Sequence, residues 1–260
     1  VTEALTERLT GIRDGGRKLF VPYVTGGLDG VDAQLLRGLQ EAGADAVEVG
    51  LPFSDPVMDG PVIQEASRRA LEGGTDPDRV LSLVSGAALD VPIIIMTYVN
   101  PVLAYGVERF AADVATAGAW GVIVPDLPVD EAGTWREAAG TAGLATVFLA
   151  APNSSPVRLA LVAGRSQGFV YCVSTFGVTG AREALSGSAE PVVAALRPLT
   201  RSPLLVGVGI SRPEQAADAC RFADGVVVGT ALVQPMLEGD REECLRLAES
   251  FRAATVSPSG

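Results

Sequence analysis

The sequence predicts an α/β protein built as a closed (β/α)8 barrel with an extra helix at its N-terminus. Three observations carry that expectation. Eight short, β-branched apolar runs recur through 260 residues, which allots about 32 residues to each unit, enough for one strand and its helix. Amphipathic segments alternate with these runs, the pattern of a parallel sheet covered on both faces. The dinucleotide-binding fingerprint of a doubly wound sheet, GxGxxG after an early strand, is missing, because the first run ends in VTGGLDG.

In chain order the expected strands are 19–24, 46–51, 92–99, 121–124, 145–149, 169–173, 204–208 and 226–228. The expected helices are 31–42, 62–71, 107–117, 130–142, 156–164, 191–199, 213–221 and 242–254, with extra ones at the N-terminus and within 76–89. Glycine or Asn/Asp punctuates most junctions, as in EAGAD, TAGAW, TAGLA and FADG. No long linker or low-complexity stretch divides the chain, and only the tail TVSPSG reads as loose, so residues 1–260 are expected to form one domain.

Composition narrows the chemistry. The chain is 48% hydrophobic and 20% charged with a formal charge of −11, a well-supplied core without the basic footprint of a nucleic-acid or polybasic membrane-surface binder. Histidine is absent, and Lys18 is the sole lysine. That excludes a Ser-His-Asp or Cys-His triad, a His-ligated zinc and a haem-His centre, and leaves Lys18 as the only candidate for a Schiff base. Cys172, Cys220 and Cys244 are odd in number and far apart, so they read as buried reduced thiols. No apolar run reaches membrane-spanning length and the N-terminus is polar and mixed in charge, so a cytoplasmic protein without a membrane or nucleic-acid partner is expected.

In a barrel the active site is built on the loops after the strands. Glu48 lies within the second strand, AVEVG. There it is either a structural carboxylate satisfied by a nearby hydroxyl or a desolvated acid–base group. The stiff loop that follows, LPFSDPVMDGP, carries Asp55 and Asp59. Each alone reads as a turn former, but together they set two carboxylates over one mouth. Three glycine-rich segments, GVTG (177–180), GVGIS (207–211) and GT (229–230), follow the last three strands. They are ordinary turn glycines or, at consecutive strand ends, a backbone cradle for phosphate. Tyr98 and Asn100 at the end of strand three, Asp126 at the end of strand four and Tyr171 on strand six are core or site residues. The residues alone thus point to a barrel without metal or cofactor that binds a phosphorylated small molecule and works by carboxylate acid–base chemistry.

The run EVGLPFSDPVMDGP, together with STFGVTGAR, GVGIS and GTALV, resembles the tryptophan synthase α-subunit family. The likeness extends from VPYVT through MTYVNP and PDLP to the last glycine pair. It implies a TIM barrel that cleaves indole-3-glycerol phosphate to indole and glyceraldehyde 3-phosphate. It also implies a pyridoxal-phosphate β subunit as partner, in an α2β2 assembly. By this resemblance Glu48 and Asp59 are the catalytic pair. Amides of Gly180, Gly209, Gly229 and Thr230 hold the phosphate, with help from the loop of Ser211. Residues 175–189 form a mobile loop whose Thr179 bonds Asp59 on closure, and Tyr23, Tyr98, Asp126 and Tyr171 line or brace the pocket. Thr230 stands for the family's usual Ser, Met58 for the more frequent Ala, and Phe176 and Val208 also depart from the family pattern. Two alternatives remain open at this level: a stand-alone lyase releasing free indole, and a non-catalytic activator of a β subunit.

Overall fold

A computed structural model describes residues 2–173, 186–207 and 209–256. In chain order it contains α1 (Thr2–Asp14), β1 (Leu19–Thr25), α2 (Ala33–Glu41), β2 (Val47–Gly50), α3 (Pro61–Glu72), α4 (Pro77–Ala87), β3 (Ile93–Met96), α5 (Val99–Tyr105), α6 (Val107–Thr116), β4 (Gly121–Ile123), α7 (Gly133–Ala142), β5 (Ala145–Val147), β6 (Leu149–Ala150), α8 (Pro156–Arg165), β7 (Val170–Val173), α9 (Ser186–Leu196), β8 (Leu204–Gly207), α10 (Pro213–Ala219), β9 (Gly225–Val228), α11 (Thr230–Leu237) and α12 (Arg241–Val256). All strand pairs are parallel, in the order β5-β4-β3-β2-β1-β9-β8-β7-β6.

The helices start where local chemistry permits. Asp32 caps α2 by accepting from the amides of Gln34 and Leu35 at 2.9 Å each, and Leu35, Leu36 and Leu39 form its buried stripe. Asp76 and Ser155 cap α4 and α8, and in both a proline occupies the first turn, where no amide hydrogen is required. Gly143, which follows α7, sits at φ 79°, a left-handed conformation that glycine adopts without a Cβ clash.

Two apolar layers result. Between sheet and helices lies a shell that includes Phe20, Leu36, Val47, Ile95, Phe110, Val206 and Phe251. Inside the barrel lie Leu19, Val21, Ala46, Ile94, Ile123, Val147, Phe169, Tyr171 and Leu205. The extra N-terminal helix closes the barrel floor, with Leu5 and Leu9 fully buried in this inner cluster. Each such burial contributes roughly 1.5–3 kcal/mol. The fit is close, because a Cβ on Gly168 would stand 2.6 Å from Leu5 Cδ2.

Several expected boundaries move, among them the helix expected over 191–199, which runs Ser186–Leu196. The fifth strand, expected over 145–149, divides into β5 and β6 at Phe148. The Phe148 amide turns to Ser166 Oγ (3.3 Å), and the chain changes partner from β4 to β7 across that point. The third strand stops at Met96 rather than 99, because the Asp126 carboxylate accepts from the Val99 amide at 2.9 Å and starts α5. Tyr98 therefore precedes a helix, and Asn100 lies within it. Asp126 itself stands beyond the end of β4, in the following loop. Neither α5 nor α11 was expected from the sequence. Both are short and apolar, and α11 contains Pro235.

Candidate active site

Residues two apart on a strand share a face, so Glu48 and Gly50 line the barrel interior above Ala46. Glu48 pairs in register with Tyr23 of β1 and with Ile94 of β3. It is 1% exposed, and its Oε2 has no hydrogen-bond partner among the described residues. The structural alternative, a carboxylate satisfied by a neighbouring hydroxyl, is therefore not what this oxygen shows. Burial, reinforced by the charge of Asp59, pushes the Glu48 carboxyl up to about 8.

The loop after β2 separates its two aspartates. Asp55 is exposed and accepts from the Ser54 hydroxyl at 2.5 Å, a local turn contact. Asp59 is held by its backbone: its amide reaches the Pro56 carbonyl at 3.0 Å, and its carbonyl accepts from Gln64 Nε2 at 2.9 Å. Tyr98 braces the same loop, because its hydroxyl accepts from the Met58 amide at 3.1 Å and its ring tilts against Phe53 at 5.3 Å. Burial raises Asp59 to about 6, with the Tyr98 hydroxyl acting in the opposite direction. At neutral pH one carboxyl of the pair is thus an acid and the other a carboxylate.

Two tyrosines face this pair. The hydroxyl of Tyr23 fills the space beside Gly50, where a Cβ would lie 2.1 Å from it. Tyr171 does the same at Gly207, at 2.3 Å. Burial first, then the charges of Glu48 and Asp59, raise both phenols well above their ordinary value, so both remain neutral donors. The sequence reading missed Gly50 altogether and assigned Gly207 to a phosphate loop. The available signal was a glycine on an inward-facing position at a strand end.

The phosphate candidates divide. Gly229 and Thr230 open α11, whose N-terminus has no side-chain cap, leaving amides directed at a potential anion. Gly209 adopts φ 86° just beyond β8. The loop of Ser211 offers less than expected, because the Ser211 amide and hydroxyl and the Arg212 amide all go to Gln215 Oε1, at 2.8, 3.1 and 3.1 Å. Asp126 is committed to the Val99 amide and so acts as a brace. Thr179 and Gly180 lie outside the described residues, as do Phe176 and Val208.

The three cysteines are free and buried. Among the described residues, no cluster of three or more His, Cys, Asp or Glu is placed to hold a metal, and no helix is long and apolar enough to cross a membrane. The arrangement can therefore give a proton, hold a neighbouring negative charge and anchor an anion at the far end of the same mouth.

The family model described as tryptophan synthase alpha chain matches residues 9–255. The tryptophan synthase alpha chain of Streptomyces coelicolor is 47% identical over 245 residues, covering 91% of this chain and 89% of the relative. That of Gloeobacter violaceus is 47% identical over 239 residues, covering 90% and 87%. Among solved structures, a chain of M. tuberculosis tryptophan synthase in its aminoacrylate- and BRD0059-bound form aligns with a TM-score of 0.87 at 37% identity, covering 97% of this chain and 98% of that one. The tryptophan synthase subunit alpha of Legionella pneumophila aligns with a TM-score of 0.87 at 32% identity, again covering 97% and 98%.

Proposed function

The chain belongs to the tryptophan synthase alpha chain family, and we propose that Glu48 and Asp59 are the carboxylates with which it cleaves indole-3-glycerol phosphate. The reaction is the family's lyase reaction, giving indole and glyceraldehyde 3-phosphate. The observation that carries the residue assignment is the split pair: a buried and a half-buried carboxyl over one mouth, raised to about 8 and about 6.

The chemistry follows from that split. Glu48, protonated at neutrality, delivers its proton to indole C3, which becomes tetrahedral, and the ring becomes a cationic indolenine. Asp59, ionised, accepts the indole N–H and stabilises that cation. The Glu48 carboxylate then takes the proton of the side-chain hydroxyl on the carbon attached to C3. As the hydroxyl oxygen becomes the aldehyde carbonyl, the carbon–carbon bond breaks and its electron pair returns to the indole ring. Glu48 ends protonated, as it began. The ring itself is the electron sink, so the scheme makes no use of a lysine Schiff base, and Lys18 instead donates to the Ala223 carbonyl at 2.7 Å. Gly209, Gly229 and Thr230 would hold the phosphate by their amides, with Gly180 contributing from the loop after β7, whose Thr179 would bond Asp59 on closure.

As an alpha chain, the protein pairs with a tryptophan synthase beta chain. In our reading that partner carries pyridoxal phosphate, the assembly is α2β2, residues 1–260 act as one domain, and the setting is the cytoplasm. Tyr23, Tyr98, Asp126 and Tyr171 line or brace the pocket in the same reading. The test is indole release from indole-3-glycerol phosphate with and without a β subunit. The expected outcome is a slow isolated chain accelerated about ten-fold or more, only about 1.4 kcal/mol of barrier. Absence of indole in both arms overturns the proposal. A fast isolated chain indifferent to β favours the stand-alone lyase.

A further inference from the structure

Tyr23 and Glu48 are registered partners on adjacent parallel strands, whose backbones run about 4.8 Å apart. The Tyr23 ring leans towards the mouth, with Cδ1 3.4 Å from where a Cβ on Gly229 would be. Its hydroxyl sits where the side chain of Gly50 would be. Gly50 is the next inward-facing position after Glu48 on β2, so the hydroxyl stands in the same row of the barrel wall, directly mouthward of Glu48. Among the described residues the only hydrogen-bond contact of this hydroxyl is Thr25 Oγ1 at 3.4 Å, well beyond the usual 2.5–3.0 Å for O–H···O. Its proton is therefore scarcely used. Glu48 Oε2, buried one position deeper in that row, is an acceptor without a donor among the described residues.

We infer that Tyr23 is a positioning residue for this reaction: its hydroxyl, seated in the Gly50 notch, donates to the Glu48 carboxylate formed when Glu48 gives up its proton. The inference rests on Glu48 being the acid–base group. It supplies what the scheme otherwise lacks, a donor for a buried carboxylate that appears beside the already ionised Asp59. The groups facing Glu48 are Asp59 from the loop after β2, Tyr23 from β1 and Tyr171 from β7. Tyr98 acts on Asp59 rather than on Glu48. The notch of Tyr171 is on β8, with β1 and β9 between it and β2, so of these two tyrosines Tyr23 is the one with its hydroxyl in the Glu48 row. A bond to the charged form lowers the affinity of Glu48 for its proton and holds the carboxylate in one orientation for the second proton transfer.

The test is Tyr23→Phe, which keeps the ring against Gly229 and removes only the oxygen. The Glu48 carboxyl is titrated directly in the free protein, by its infrared C=O band or by carbon NMR, with Glu48→Gln identifying the signal. Its midpoint is expected to move upward by roughly half to one unit in Tyr23→Phe, and the basic limb of kcat against pH is expected to move the same way. kcat should fall about three- to ten-fold, the scale of one hydrogen bond to a charged group, with KM within about two-fold. An unmoved Glu48 titration overturns the inference, and so does a loss that appears in KM with the limb in place, which would make Tyr23 a packing residue. Full kcat in Glu48→Gln would overturn the assignment of Glu48 instead, a distinct result.

Discussion

The two ends of the barrel treat buried carboxylates in opposite ways. At the floor, Asp45 is 2% exposed and fully engaged: it accepts from the Phe20 amide at 2.9 Å and from Arg252 at 3.1 Å, and it is paired with Arg17. Asp224, 7% exposed, accepts from the Leu204 amide at 2.8 Å and from Arg197 at 2.6 Å. Each precedes a strand and staples its neighbour, Asp45 joining β2 to β1 and Asp224 joining β9 to β8. At the mouth, Glu48 is as deeply buried, yet it has one oxygen without a partner and a like charge for a neighbour. A satisfied buried carboxylate holds the fold, whereas an unsatisfied one is unstable in its charged form and so is ready to exchange a proton. Removing the carboxylate should therefore have opposite effects on stability at the two ends.

The largest effect is expected at the floor. Asp45→Ala leaves Arg252, whose side chain is 13% exposed, without its carboxylate and the Phe20 amide without its acceptor. It should cost about 3 kcal/mol or more of unfolding free energy in a urea titration, with kcat per folded molecule near that of the wild type. A loss below about 0.5 kcal/mol would erase the contrast.

Glu48→Gln comes next and should run the other way. Its kcat should fall at least about 100-fold while substrate binding persists. Its stability should rise, and the sign follows from the raised carboxyl. Between the ordinary carboxyl range and about 8 the unfolded chain has released this proton and the folded chain has not, so stability falls as pH rises through that window. Glutamine escapes that loss. Thermal melts should show the variant ahead of the wild type at pH 8, with the advantage gone near pH 4. A variant no more stable at pH 8 would mean that burial does not hold the Glu48 carboxyl above its ordinary range.

The smallest effect is the pH profile of kcat. Asp59 must be ionised and Glu48 protonated, so the rate should peak near neutrality, with an acidic limb near 6 and a basic limb near 8 that belong to the coupled pair. At each limb the rate should drop by about half. A rate that keeps rising from pH 7 to 9 would assign Glu48 the base role alone.

Much of this architecture was legible because its signals are local. Six of the eight strand runs, the junction glycines and the extra helices at the N-terminus and within 76–89 read correctly to within a residue or two from period and punctuation, since an apolar stripe or a turn residue acts within a few positions of itself. Glu48 was legible for the same reason: a carboxylate in a strand apolar on both faces has few places to be. Where reading failed, the deciding contact came from elsewhere in the chain. The run 92–99 looks like one strand until Asp126, 27 residues away, captures the Val99 amide. The strand at 145–149 looks continuous until Ser166 takes the Phe148 amide.

By itself the sequence determined the barrel, the carboxylate on its second strand and the acidic loop after it, because strand alternation and stiff turns are properties of neighbouring residues. Only the tertiary structure decided which carboxylates are spent on the fold and which are left for chemistry. Asp45 and Glu48 lie three positions apart in similar apolar sequence, and nothing local distinguishes them. The difference is that Arg252, 207 residues further on, reaches Asp45, while Glu48 Oε2 engages no hydrogen-bond partner among the described residues. A hydrogen bond depends on distance in space, and for buried charges that distance is set by how the chain closes on itself.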